Sequence, residues 1–169
     1  LMNTTVYAPA SIGNVGVGFD LLGAALAPVD GSILGDCVSI DSCSKGISFS
    51  CAGPWKRKLP ENPADNIVVQ CARHFIAEMP GKQRPTGLKV ALEKNLPVGS
   101  GLGSSASSVV ATFMALNEHF DRPFAPNQLL RMMGEFEGKV SGSVHFDNVA
   151  PSYLGGLQLM LLSPDSVCE

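Results

Sequence analysis

Apolar residues alternate with polar ones in four short stretches of the chain, and this alternation predicts β-strands. The four stretches are residues 5–8, 38–40, 47–49 and 87–93. A short turn containing Lys45 and Gly46 separates the second stretch from the third, so we expect these two strands to pair as a hairpin. Residues 153–162 predict a final strand, whereas residues 21–26 fit either a strand or a helix.

Elsewhere the apolar residues recur every three or four positions, which predicts helices with one buried face. Three such helices are expected, over residues 66–79, 106–120 and 126–138. Asp65 or Asn66 would cap the first helix, and Gly138 would end the third. Strands dominate the first half, and helices alternate with strands in the second. We therefore expect an α+β fold with the helices on one face of a sheet.

One glycine-rich stretch joins the strand at 87–93 to the helix at 106–120. It reads Pro97-Val98-Gly99-Ser100-Gly101-Leu102-Gly103-Ser104-Ser105-Ala106. Its three glycines allow the backbone to bend so that several amide groups face one hollow. A helix N-terminus adds unpaired donors and the positive end of its dipole. A flexible linker has a similar composition, but a linker would not run directly from a strand into an amphipathic helix. The stretch therefore predicts a phosphate-binding loop.

The spacing of these glycines excludes the two commonest phosphate-binding motifs. The P-loop requires a lysine directly after its last glycine, and Ser104 follows Gly103 here. The dinucleotide-binding pattern requires Gly-x-Gly-x-x-Gly, whereas Gly99, Gly101 and Gly103 are evenly spaced. If the loop binds an anion, it does so with a different arrangement of glycines.

Three further places in the chain carry candidate polar residues. Asn14 and Asp20 belong to a second glycine-rich segment, and they either approach a ligand or are ordinary turn residues. Glu137 lies at the edge of the apolar face of the third helix, where a carboxylate needs a partner. That partner is a metal ion beside the phosphates or a salt bridge at the helix end. A turn at 141–151 either binds a polar substrate or is structural, and it contains His145, Asp147 and Asn148.

The composition fits one globular domain, with 169 residues of which 45% are apolar and 16% charged. The net charge of −3 and the lack of a basic cluster larger than residues 55–58 argue against a nucleic-acid partner. Apolar runs are far shorter than the roughly 18 residues of a membrane span, and the N-terminus lacks a signal-peptide pattern. Five cysteines, without a Cys-x-x-Cys pair, predict free thiols in the cytoplasm.

These residues resemble motifs of the GHMP small-molecule kinases, a family that includes galactokinase, homoserine kinase and mevalonate kinase. The loop at 97–106 resembles the second motif of that family. Residues 9–14, together with Gly18-Phe19-Asp20, resemble the first motif. A wider combination resembles the homoserine-kinase branch of the family, and it comprises residues 17–20, 22–24, 65–66 and 137–151.

The resemblance extends over residues 6–161 and implies a fold, a reaction and a cofactor. The fold would be a ribosomal-protein-S5-like two-layer sandwich with a left-handed β-α-β crossover. The reaction would be the ATP-dependent, Mg²⁺-requiring phosphorylation of the side-chain hydroxyl of L-homoserine, a step toward threonine. Two alternatives stay open: another GHMP kinase of the mevalonate type, and a non-catalytic nucleotide-binding module.

The resemblance also assigns roles to individual residues. The nucleotide would be bound by Asn66 near the adenine and, around the phosphates, by Pro97, Val98, Gly99, Ser100, Gly101, Leu102, Gly103, Ser104, Ser105, Ala106 and Ser107. Ser105 and Glu137 would hold Mg²⁺. The amino-acid pocket would contain Asn14, Asp20, His145, Asp147 and Asn148. Glu137, Asp20 and Asn148 would act in catalysis, the last two by orienting the acceptor hydroxyl while its proton passes to the γ-phosphate.

The third glycine-rich motif of the family belongs to a C-terminal domain, and it is not found in residues 1–169. The resemblance therefore implies that these residues form the N-terminal, nucleotide-binding domain of a two-domain kinase. We expect weak or no turnover from this part alone, and the full-length protein could form a homodimer.

Overall fold

The computed structural model describes residues 3–17, 20–81, 84–142 and 144–161. Predictions that involve Gly18, Phe19, Ser143 and residue 162 lie outside these ranges. The strands are β1 (Thr4–Pro9), β2 (Ser11–Ile12), β3 (Leu22–Ala25), β4 (Gly35–Ser42), β5 (Gly46–Ala52), β6 (Gly87–Glu93) and β7 (Leu157–Leu159). The helices are α1 (Ile67–Glu78), α2 (Ser104–His119), α3 (Pro126–Ser141) and α4 (Val149–Leu154). No helix within these ranges is long and apolar enough to cross a membrane.

The core lies between a four-stranded sheet, in the order β1-β4-β6-β5, and the helices packed on it. Alternate residues of the two central strands face this core, among them Val38 and Ile40 on β4 and Val90 and Leu92 on β6. Helix α2 packs across β1 and β4, and α1 packs beside α2. This arrangement confirms the predicted α+β fold.

The predicted hairpin between β4 and β5 is wrong, because β6 lies between them. Strand β6 pairs antiparallel with β4 and parallel with β5, so that Val90 lies opposite both Ile40 and Phe49. Its core-facing side chains are almost completely buried, which the central position makes possible. The parallel neighbours β5 and β6 are joined through α1, which forms a β-α-β crossover whose hand stays a prediction.

A smaller sheet, in the order β2-β3-β7, lies beside α4. Residues 21–26 thus contribute strand β3 rather than a helix. The predicted strand over 153–162 is too long, because Tyr153 and Leu154 belong to α4 and the described strand spans only Leu157–Leu159. Gly155, with a φ of 80°, ends the helix and separates the two elements.

Helix α3 also differs from its prediction, because it continues through Gly138 to Ser141 and ends at Gly142, where φ is 96°. Gly138 is needed for close packing rather than for a helix stop. A Cβ atom at this position would lie 2.6 Å from Cγ2 of Val144. The missing side chain lets the next segment pack closely against the helix.

Candidate functional site

A cavity of about 390 Å³ lies where the glycine-rich loop, α1 and α3 meet. Its wall includes most of the predicted loop residues, together with Asn66 at the start of α1 and Glu137 on α3. Asn148, just before α4, also lies on the wall. The fold therefore brings four separate parts of the sequence to one cavity.

The loop adopts a bent conformation that depends on its three glycines. Gly99, Gly101 and Gly103 have φ angles of 75°, 76° and 59°, in the left-handed region that side chains disfavour. A Cβ atom at Gly99 or Gly101 would meet no other atom within 4 Å. The loop thus exposes these two positions to open space beside the cavity.

The loop ends at the N-terminus of α2, where hydrogen-bond donors are concentrated. Gly103 is the N-cap residue and offers no side-chain cap, and its carbonyl accepts the first helical bond from the amide of Ser107 at 2.8 Å. In the described part of the chain, the amides of Ser104, Ser105 and Ala106 donate to no protein acceptor. All three residues line the cavity. Such a helix end attracts an anion through its donors and its dipole.

Ser105 and Glu137 form an oxygen pair on the cavity wall. The hydroxyl of Ser105 donates to Oε2 of Glu137 at 2.9 Å. Burial raises the pKa of Glu137, and this hydrogen bond from Ser105 partly opposes the effect. The described residues contain no group of three or more His, Cys, Asp or Glu side chains placed to hold a metal ion. The hydroxyl and carboxylate still suit Mg²⁺, which prefers oxygen ligands and takes few of them from the protein when phosphates supply the rest.

Asn66 has both a structural contact and an unused donor. Its Oδ1 accepts from the amide of Val68 at 3.0 Å, which makes it the N-cap of α1 as predicted. The residue is fully buried, and among the residues that the structure describes its Nδ2 has no hydrogen-bond partner. Because Asn66 lines the cavity, this donor is available to a ligand that enters there.

The residues predicted for an acceptor substrate form a neighbouring cluster. Oδ1 of Asn14 accepts from the amide of Asp20 at 2.8 Å, and both residues have left-handed φ angles. Oδ1 of Asp20 lies 3.5 Å from Nδ1 of His145. Asn148 joins this cluster to the cavity, because it lines the cavity and its Nδ2 lies 2.8 Å from where a Cβ atom of Gly13, the neighbour of Asn14, would be. Its Oδ1 accepts from the hydroxyl of Ser11 at 3.1 Å.

Four of the predicted site residues lie elsewhere. Asp147 is only 5% exposed and lies against the backbone of Gly13, where a Cβ atom would be 1.8 Å from Oδ2 of Asp147. Ser107 is fully buried, and its hydroxyl donates to the carbonyl of Ala8 at 2.8 Å. The cavity wall also omits Pro97 and Leu102. The carbonyl of Leu102 accepts from the amide of Ser11 at 3.2 Å, so this residue joins the loop to β2.

A buried ion pair behind the loop was not predicted. Nζ of Lys94, a residue that lines the cavity, donates to Oδ2 of Asp36 and, at 2.9 Å, to the carbonyl of Ser104. Burial lowers the pKa of Lys94, and Asp36 opposes this effect. The sequence contains a signal for the pair, because Lys94 continues the alternation of buried residues on β6 and Asp36 does the same on β4.

Known proteins share both sequence and fold with this chain. Residues 66–156, more than half of the chain, match the model of the GHMP kinases N terminal domain. The chain belongs to the GHMP kinases. This family assignment confirms the resemblance seen in the glycine-rich motifs.

Solved structures of other proteins share the fold. A homoserine kinase from Cytophaga hutchinsonii is 34% identical with a TM-score of 0.80, and the match covers 93% of this chain and 48% of that one. A Listeria monocytogenes protein provisionally assigned as a homoserine kinase is 24% identical, with a TM-score of 0.65 and coverages of 92% and 48%. The mevalonate kinase of Methanococcus jannaschii is 13% identical, with a TM-score of 0.72 and coverages of 92% and 52%. The chain thus spans about half the length of these proteins.

Proposed function

We propose that this chain is the ATP-binding half of a kinase that phosphorylates the side-chain hydroxyl of L-homoserine. The observation that carries the proposal is the cavity where the unbonded amides at the start of α2 meet the Ser105–Glu137 pair. The family supports phosphoryl transfer in general. The 34% identity to the Cytophaga hutchinsonii homoserine kinase, over 93% of this chain, supports the choice of substrate.

In this proposal the chain acts mainly by binding the phosphates and orienting them. The amides of Ser104, Ser105 and Ala106 would hold phosphate oxygens, and Nδ2 of Asn66 would donate to the nucleotide base. Ser105 and Glu137 would hold a magnesium ion, which supplies charge neutralisation to the phosphates when bound. Phosphoryl transfer depends mostly on such positioning and electrostatic stabilisation, with little covalent chemistry for the protein to perform.

The acceptor hydroxyl would lie between the cavity and the cluster of Asn14, Asp20 and His145. Asp20 and Asn148 would orient it toward the γ-phosphate. Its oxygen forms a bond to phosphorus as the bond between phosphorus and ADP breaks, and its proton passes to the transferred phosphoryl group. Asn148 cannot accept that proton, because an amide is not a base at neutral pH. If Asn148→Ala leaves the single-turnover rate unchanged, the orienting role of Asn148 is wrong.

The proposal is tested by measuring ADP release from the full-length protein with L-homoserine or with mevalonate, beside binding of a fluorescent ATP analogue. We expect the protein to bind the nucleotide and to release ADP with L-homoserine but not with mevalonate. Turnover with mevalonate would identify a different GHMP kinase. Nucleotide binding without turnover on either alcohol would indicate a non-catalytic module.

Two serines of the loop provide a matched pair of variants for the same assay. Ser105→Ala removes the hydroxyl that contacts Glu137, whereas Ser100→Ala removes one that donates to the carbonyl of Pro97 at 2.8 Å. We expect Ser105→Ala to lower turnover about 10²-fold, as the loss of one preorganised catalytic contact does. Ser100→Ala should lower it much less. Equal effects of the two variants would contradict the metal-binding role of Ser105.

A further inference from the structure

Asp36 is a fully buried carboxylate that contacts residues on both sides of the glycine-rich loop without lining the cavity. Its Oδ1 accepts from the amides of Asn95 and Leu96, at 2.9 and 3.1 Å, where the loop leaves β6. Its Oδ2 accepts from the hydroxyl of Ser108 at 2.6 Å and from Nζ of Lys94. One side chain of β4 therefore holds the two residues directly before the loop.

Lys94 extends these contacts to the other end of the loop. Its Nζ donates to the carbonyl of Ser104 at 2.9 Å and to the hydroxyl of Ser108 at 3.0 Å, both in the first turns of α2. The ion pair of Asp36 and Lys94 thus contacts the residues before Gly99 and those after Gly103. The three glycines lie between these two anchored ends, in the segment with the most backbone freedom.

We infer that Asp36 is a positioning residue for nucleotide binding, which fixes both ends of the glycine-rich loop through its amide contacts and through Lys94. The inference rests on the proposed function, because it assumes that the loop binds nucleotide phosphates. A buried ion pair is weak evidence for stability, since desolvation offsets much of its attraction. The distribution of its hydrogen bonds over the two ends of one loop is the specific feature that a positioning role explains.

The test is Asp36→Asn in the full-length protein, which keeps the shape of the side chain and removes its charge. We expect the dissociation constant of a fluorescent ATP analogue to rise about tenfold, because hydrogen bonds to a charged acceptor are lost or weakened. The backbone amide resonances of Asn95 and Leu96 should shift and their hydrogen exchange should become faster. The KM for the acceptor alcohol should change less than about twofold.

Asp41→Asn is the matched control, because Asp41 lies on the same strand and its carboxylate accepts from the amide of Ser42 at 2.8 Å. Its nucleotide affinity should equal that of the unaltered protein. A folded Asp36→Asn protein with unchanged nucleotide affinity overturns the inference, even if its melting temperature falls. Failure of the unaltered protein to bind the analogue overturns the proposed function instead.

If Asp36→Asn does not fold, Ser108→Ala decides the question. This variant removes the hydroxyl that donates to Oδ2 of Asp36 and accepts from Nζ of Lys94, and it leaves the ion pair itself in place. Because Ser108 also lines the cavity, the amide resonances are recorded without nucleotide, so that they report the backbone beside the loop and not a lost ligand contact. A rise of about threefold in the dissociation constant, with displaced amide resonances at Asn95 and Leu96, supports the inference. An unchanged dissociation constant overturns it.

Discussion

Gly103→Ala should destabilise the protein much more than Gly101→Ala, although both glycines have left-handed φ angles. The backbone strain is similar, about 1–2 kcal/mol for a residue with a Cβ atom in this region. At Gly101 the new atom meets nothing within 4 Å. At Gly103 it would lie 2.2 Å from the hydroxyl oxygen of Ser11 and 3.0 Å from Oδ1 of Asn148.

The contact at Gly103 adds to the strain in two ways. Ser11 is fully buried, so its side chain cannot move away into solvent. Displacing it breaks the 3.1 Å hydrogen bond to Asn148, worth about 1 kcal/mol, and crowds a packed region at a cost of about 1–3 kcal/mol. We therefore expect Gly101→Ala to destabilise the protein by about 1–2 kcal/mol. Gly103→Ala should cost at least about 2 kcal/mol more.

Equilibrium unfolding in urea measures both changes, with the unaltered protein as reference. The rate at which the acceptor alcohol is phosphorylated should also differ between the two variants. Gly103→Ala displaces Asn148, whereas Gly101→Ala affects only the loop. Destabilisation that is equal for the two variants within about 0.5 kcal/mol would refute the contact between Gly103 and Ser11.

Three further variants test other parts of the structure. Burial raises the pKa of Glu137, so its ionised form destabilises the fold as pH rises through that pKa. Glu137→Gln should therefore stabilise the protein more at pH 8 than at pH 4, and it should lower turnover about 10²–10³-fold. Gly134→Ala would place a Cβ atom 2.1 Å from the ring of Phe146 and should cost about 1–3 kcal/mol in urea unfolding, whereas the exposed Glu135→Ala should cost little. Burial lowers the pKa of His119, so stability should fall as pH drops below the ordinary histidine value of about 6.5, and His119→Gln should flatten this pH dependence. If the pH dependence of stability is the same with and without Glu137→Gln or His119→Gln, the pKa argument for that residue is wrong. Equal destabilisation by Gly134→Ala and Glu135→Ala would contradict the contact between Gly134 and Phe146.

Local sequence signals predicted the elements around the cavity well. The alternation at 87–93 and the helical spacing after Ala106 placed the glycine-rich loop between a strand and a helix, as observed. Asn66 was predicted as a cap from its position before an apolar helix, and its side chain makes that contact. The 3.6-residue period placed Glu137 near the apolar face of α3, and the structure brings it to Ser105. Each of these signals depends on neighbours in sequence.

Local signals predict the wrong structure where contacts with another strand or segment decide it. The short turn between β4 and β5 predicted a hairpin, but the sequence of the turn says nothing about a third strand that comes between them. The place of Gly138 after an apolar helical pattern predicts a helix stop, whereas the helix continues to Ser141 and the missing side chain of Gly138 makes room for Val144. Tyr153 fitted a strand pattern and belongs to α4. A local pattern cannot distinguish these cases, because the deciding atoms are far away in sequence or in another element.

The Asp36–Lys94 pair depends both on local patterns and on a contact between distant strands. Each charge is in phase with the buried residues of its own strand, and a buried charge requires a partner. The antiparallel register that places Cys37 opposite Glu93 also places Asp36 opposite Lys94 when it is continued by one residue. Once the pairing of β4 with β6 is known, the partner of each charge follows from the sequence. The pairing of β4 with β6, which the turn at Lys45 and Gly46 does not predict, is therefore the information needed to find the ion pair behind the glycine-rich loop.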